Sequence, residues 1–184
     1  MGVEEVLEKV ECLAGQRESG TESRERISLV ELTGGEPLLQ PETPALAEKL
    51  LGWGYKVLIE TSGERDASVL PLEVVKIMDV KCPDSGEGDT FRLKNLEALD
   101  AKDEIKFVLR SRRDYEFART FMADYRLTSR VHQVIFSPVA ADPEGRWSEL
   151  NAGELAKWIL SDGLPVRLGL QFHKFIWDPA TRGV

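Results

Sequence analysis

Six β-rich runs separated by helix-like segments recur along the chain, and this alternation limits the possible folds more than any other feature. The runs fall at 27–31, 55–60, 74–80, 104–109, 133–136 and 166–171. Apolar residues at three- and four-residue spacing predict helices over 2–14, 45–53, 91–99, 114–126 and 148–161. Thr43 reads as the cap of the second helix, with Pro44 at its first position. Strand and helix alternating at roughly 25 to 35 residues is the signature of βαβ units and a mostly parallel sheet. Such a sheet is either open and doubly wound or a curved, partial (β/α) barrel. Polar residues favour the barrel, because they close nearly every β-run: 33–36, 60–62, 79–81, 137 and 171–174. At 184 residues, one domain over 1–184 is expected.

Among those strand ends, Leu32-Thr33-Gly34-Gly35-Glu36-Pro37 is the most informative. A ligand approaches paired glycines with no side chain in the way, and a plain turn needs neither the hydroxyl before them nor the acid after them. The net charge of -8 argues against a broad basic surface, so nucleic acid and anionic membranes are disfavoured as partners. No apolar run approaches the roughly 20 residues that span a bilayer, and the start lacks a secretory plan, so a cytoplasmic protein is expected. Two distant cysteines, Cys12 and Cys82, support neither a disulfide framework nor a metal site.

These strand ends resemble the radical S-adenosylmethionine (SAM) enzymes and, within them, the 7-carboxy-7-deazaguanine synthase family of queuosine biosynthesis. Four segments carry the resemblance: 32–40 with its Gly-Gly-Glu, Glu60-Thr61-Ser62-Gly63, Asp79-Val80-Lys81-Cys82-Pro83 and 171–177. It implies conversion of 6-carboxy-5,6,7,8-tetrahydropterin to 7-carboxy-7-deazaguanine with release of ammonia, a radical SAM carbon–nitrogen lyase activity. It further implies SAM contacts by Gly34, Gly35, Glu36, Thr61, Ser62, Asp79, Val80 and Lys81, and substrate contacts by Thr33, Gln171, His173, Lys174 and Pro179. A [4Fe-4S] cluster, Mg2+, a flavodoxin-type electron donor and a homodimer belong to the same set of expectations.

One departure is large. The family binds its cluster through a CxxxCxxC loop after the first strand, and this sequence has two cysteines where three thiolates are required. The helix at 2–14 resembles the one that follows that loop. The expectation is therefore a radical SAM domain whose first strand, cluster loop and magnesium ligand are missing, inactive as it stands, with no catalytic residue assignable and an exposed, association-prone sheet edge. Two alternatives share these motifs: a glycyl-radical-activating type of radical SAM protein, and a non-catalytic SAM- and pterin-binding remnant.

Overall fold

The computed structural model describes residues 2–14, 27–141, 145, 147–172 and 176–177. Six strands, β1 (Leu29–Leu32), β2 (Lys56–Thr61), β3 (Val75–Asp79), β4 (Glu104–Leu109), β5 (Gln133–Pro138) and β6 (Arg167–Leu168), form one sheet in the order of the sequence. All five pairings are parallel. The sheet is open rather than closed into a barrel. Among the described residues its strand order never reverses, however, so they show no switch point of the doubly wound kind. Parallel crossovers are right-handed as a rule, and with this strand order that rule carries every connection to the same side, which is barrel-like winding.

Side chains follow that winding. Val57 and Ile59 of β2, Met78 of β3, Ile105, Phe107 and Leu109 of β4, and Phe136 of β5 are fully enclosed on one face. They share a core with Leu7 of α1 (Val3–Ala14), Ala47 and Leu50 of α2 (Thr43–Gly52), Tyr115 and Ala118 of α3 (Arg112–Asp124), and Leu155 of α4 (Ala152–Ser161). Edge-to-face rings tie the layers together, with Phe107 5.8 Å from Phe121 and Tyr115 5.8 Å from Phe136. The opposite face, where Glu60, Glu104 and Lys106 alternate with those core residues, is partly exposed. Parallel sheets usually bury both faces. Here one face keeps charge.

Helix starts follow local chemistry. The Ser111 hydroxyl accepts the Asp114 N–H at 3.2 Å to open α3, and Asn151 Oδ1 accepts the Glu154 N–H at 3.1 Å to open α4. Three sequence expectations need correction. Thr43 does not cap α2; its hydroxyl donates to the Pro37 carbonyl at 2.7 Å, and Glu42 takes the cap position. The segment at 91–99 is no α-helix; it holds a 3-10 helix at Leu93–Ala98. The last β-run shrinks to Arg167–Leu168, paired among the described residues with β5 alone.

Candidate functional site

The carboxyl ends of β1 and β2 are joined by one carboxylate. Past β1 the chain turns through Gly34 at φ 95° and Gly35 at φ 54°, a left-handed geometry that only glycine enters without strain. A Cβ on either residue would point into open space. Glu36 follows and caps the 3-10 turn Pro37–Leu39. Its Oε1 accepts the Leu38 N–H at 3.0 Å and the Thr61 hydroxyl at 2.8 Å. Its Oε2 accepts the Ser62 N–H at 2.8 Å and the Ser62 hydroxyl at 2.6 Å. Burial raises this carboxyl's pKa, but the hydrogen bonds from Ser62, Leu38 and Thr61 outweigh it and hold Glu36 below the usual carboxylate range.

Glu36, Thr61 and Ser62 thus spend their polar groups on one another. What they leave free is the glycine backbone. It faces a cavity of about 390 Å³ lined by Leu32, Thr33, Gly34, Gly35, Thr43 and Leu46, among others, within the size range of small-molecule sites. Thr33 sits exposed at its mouth.

The end of β3 behaves differently. Lys81 Nζ lies 2.7 Å from Asp79 Oδ2, whereas Asp79 Oδ1 is buried and accepts no hydrogen bond among the described residues. A buried carboxylate oxygen without a donor costs on the order of 1–3 kcal/mol, so this end of the strand holds spare hydrogen-bonding capacity. Val80 has little to offer a ligand beyond its carbonyl: its side chain is in the core and its N–H donates to the Lys106 carbonyl at 2.9 Å. Asp114, fully buried, steadies the loop beyond. It accepts the Asp84 N–H at 2.9 Å and the Arg110 N–H at 2.9 Å, tying the carboxyl ends of β3 and β4 together.

The sequence-derived residues therefore fall into groups. Thr33 to Glu36, Thr61 and Ser62 are brought together, with Asp79 and Lys81 paired on the neighbouring strand. Gln171, half-buried, follows β6. His173, Lys174 and Pro179 lie outside the described residues. Sequence reasoning missed the charged inner face, where Lys106 Nζ meets Glu60 Oε1 at 2.5 Å. Beside that pair, burial and then repulsion from Glu60 push the Glu31 carboxyl up, against the pull of Lys106. The strict polar–apolar alternation of Glu104-Ile105-Lys106-Phe107 was the available signal that one face stays wet.

The residues present do not fit an iron–sulfur cluster. Cys12 is exposed on α1, Cys82 is buried in the core, and two thiols cannot supply three ligands. Burial, followed by the charges of Asp114 and Asp79, drives the Cys82 thiol strongly upward, away from the thiolate a metal needs. Among the described residues, no group of three or more His, Cys, Asp or Glu could hold a metal ion. Nor is any described helix long and apolar enough to cross a membrane. The glycine turn, by contrast, suits a SAM-sized ligand, with bare backbone at a cavity and an unfilled carboxylate acceptor on the next strand but one.

No protein-family model matches the chain. It is 56% identical over 162 residues to a 7-carboxy-7-deazaguanine synthase from Koribacter versatilis (strain Ellin345), covering 85% of this chain and 72% of that protein. A protein of the same name from Chlorobaculum tepidum is 39% identical over 158 residues, covering 84% of this chain and 68% of the relative. In fold, the chain is similar to the crystal structure of QueE from Escherichia coli, with a TM-score of 0.65 at 20% identity, over 93% of this chain and 64% of that one. With two relatives above 30% identity matched over more than two thirds of their length, the chain belongs to the 7-carboxy-7-deazaguanine synthase family.

Proposed function

We propose that this chain is the SAM- and pterin-handling domain of a radical SAM carbon–nitrogen lyase that makes 7-carboxy-7-deazaguanine from 6-carboxy-5,6,7,8-tetrahydropterin, releasing ammonia. Kinship at 56% identity to a synthase of that name carries the reading. The glycine turn at an open cavity supports it. When bound, SAM supplies the family's hydrogen-abstracting radical. This chain's residues bind and orient it: Gly34 and Gly35 through their backbone, Glu36, Thr61 and Ser62 by fixing the turn, and Asp79, Val80 and Lys81 at the adjoining rim. Thr33, Gln171, His173, Lys174 and Pro179 are the residues assigned to the pterin in this reading. The magnesium ion and a flavodoxin-type donor carry over from the family, as does a homodimer.

A second reading has an observation of its own. The two cysteines favour a module that binds SAM and pterin without iron and leaves catalysis to residues it lacks. Calorimetric titration of the iron-free chain with SAM, and separately with the carboxytetrahydropterin, tests the binding common to both. Saturable binding of each is expected, and silence toward both would overturn the assignment of the rim. Product formation by a form extended with the family's CxxxCxxC segment and reconstituted anaerobically with iron and sulfide would exclude the second reading, whereas its absence alongside intact binding would favour that reading.

A further inference from the structure

We infer that Asn95 is a positioning residue for this rim: from the irregular crossover between β3 and β4 it clamps the 63–67 loop, and so sets the Thr61 and Ser62 donors that hold Glu36. Asn95 is 2% exposed, and both the nitrogen and the oxygen of its amide are engaged. Its Nδ2 donates to the Gly63 carbonyl at 2.8 Å and to the Arg65 carbonyl at 2.7 Å, while its Oδ1 accepts the Ala67 N–H at 3.0 Å. Two carbonyls and one N–H around a buried group define the side chain that fits. Asparagine alone offers two donors and one acceptor at this length. Aspartate would face two carbonyls with a charge and no proton to give, and glutamine carries one methylene too many.

The clamp reaches Glu36 through consecutive bonds. Gly63, whose carbonyl Asn95 holds, donates its N–H to Thr61 Oγ1 at 3.2 Å, and that hydroxyl donates to Glu36. Glu64 donates its N–H to Ser62 Oγ at 3.4 Å, and that hydroxyl also donates to Glu36. The Arg92 N–H reaches the same Gly63 carbonyl at 3.0 Å. Gly63 is locked against this brace as well: at φ 71°, a Cβ on it would stand 2.5 Å from the Phe91 ring. Loop and brace interlock, so displacing one displaces the other. The 91–98 stretch therefore braces the loop that follows β2.

The consequence of the Asn95 brace for SAM rests on the proposed function. Glu36 provides a readout of the brace itself. Its side-chain carboxyl can be followed by 13C NMR through an acid titration in wild type, Asn95→Ala, Asn95→Asp and Asp66→Ala. Asp66 caps the 3-10 turn of the same loop by accepting the Ser68 N–H and hydroxyl, bonds outside the chain of contacts that runs to Glu36, so its variant controls for general loosening. Loss of the clamp should move the Glu36 midpoint upward by on the order of half a pH unit or more in both Asn95 variants, because its hydroxyl donors drift. Asp66→Ala should leave it unmoved. Asn95→Ser, which keeps one donor, replaces any variant that fails to fold and should shift the midpoint by less. An unchanged Glu36 midpoint in folded Asn95 variants, or an equal shift in Asp66→Ala, overturns the inference. SAM titration is the second readout, with affinity expected to fall about tenfold in Asn95→Ala; absence of binding by wild type would count against the proposed function and leave the NMR result standing.

Discussion

Strand β3 carries a lysine–carboxylate pair at each end, and the two pairs are built for opposite purposes. At the amino end Lys76 Nζ lies 3.3 Å from Asp103 Oδ2, with the two side chains 3% and 0% exposed. Asp103 also accepts the backbone N–H of Lys76 at 2.8 Å and of Asp100 at 3.0 Å, so both its oxygens are occupied. At the carboxyl end Lys81 and Asp79 are 32% and 12% exposed, and one carboxylate oxygen has no partner among the described residues. The same two residue types close the fold at one end and leave capacity for a ligand at the other. In barrel-type folds the amino face serves stability and the carboxyl face serves function. The proposed site places this open sheet under the same division.

The comparison breaks most directly at Asp103. Asp103→Ala leaves a buried ammonium and two backbone donors unmatched and should cost about 3–5 kcal/mol in urea unfolding. A loss below about 1 kcal/mol would mean that the amino end is no anchor. Asp79→Asn should reverse the pattern. Its pair is partly exposed and half-satisfied, so stability should change by less than about 1 kcal/mol, while SAM affinity falls about tenfold. Equal stability losses in the two variants would erase the distinction between the ends.

Acid sharpens the contrast within the carboxyl rim. Glu36 is depressed in the native state, so its contribution is fully present above the unfolded carboxyl value near 4.5 and is lost as pH falls through the lower native value. Urea midpoints at pH 7, 4.5 and 3 should therefore fall more steeply for wild type than for Glu36→Gln. Parallel curves would show that the clamp is not ionised. The smallest effect concerns Cys82. Buried, and with its thiol pushed strongly upward, it should resist alkylation in the native chain. Mass spectrometry should find one label, on exposed Cys12, and two labels only in denaturant.

Much of this was legible in the sequence because punctuation and ligand geometry coincide. The turn at 33–36 needs glycine for its φ angles and an acid for its clamp, and both requirements are written in residues that a bland turn would not use. The brace was not legible. Leu93, Leu96 and Leu99 recur every three residues, a spacing that suits a 3-10 helix as well as an α-helix, and Asn95 between them reads as an ordinary surface amide. Its role appears only when Gly63, Arg65 and Ala67 surround it. Asp103 was hidden for the same reason: its turn looks solvated until strand pairing places Lys76 beneath it. Thr43 was misread because its hydroxyl has two possible tasks, capping its own helix or bonding Pro37, and the choice is tertiary.

The Gly34-Gly35 backbone is the proposed SAM-binding surface. Calorimetric titration of SAM into the wild-type chain and into Gly35→Val tests this most directly. A valine at φ 54° is strained, and it puts a branched side chain where the backbone is now bare. Saturable binding by wild type, abolished in a Gly35→Val protein that still unfolds cooperatively, is the predicted result. Equal affinity in the two proteins, or no binding by either, would contradict it.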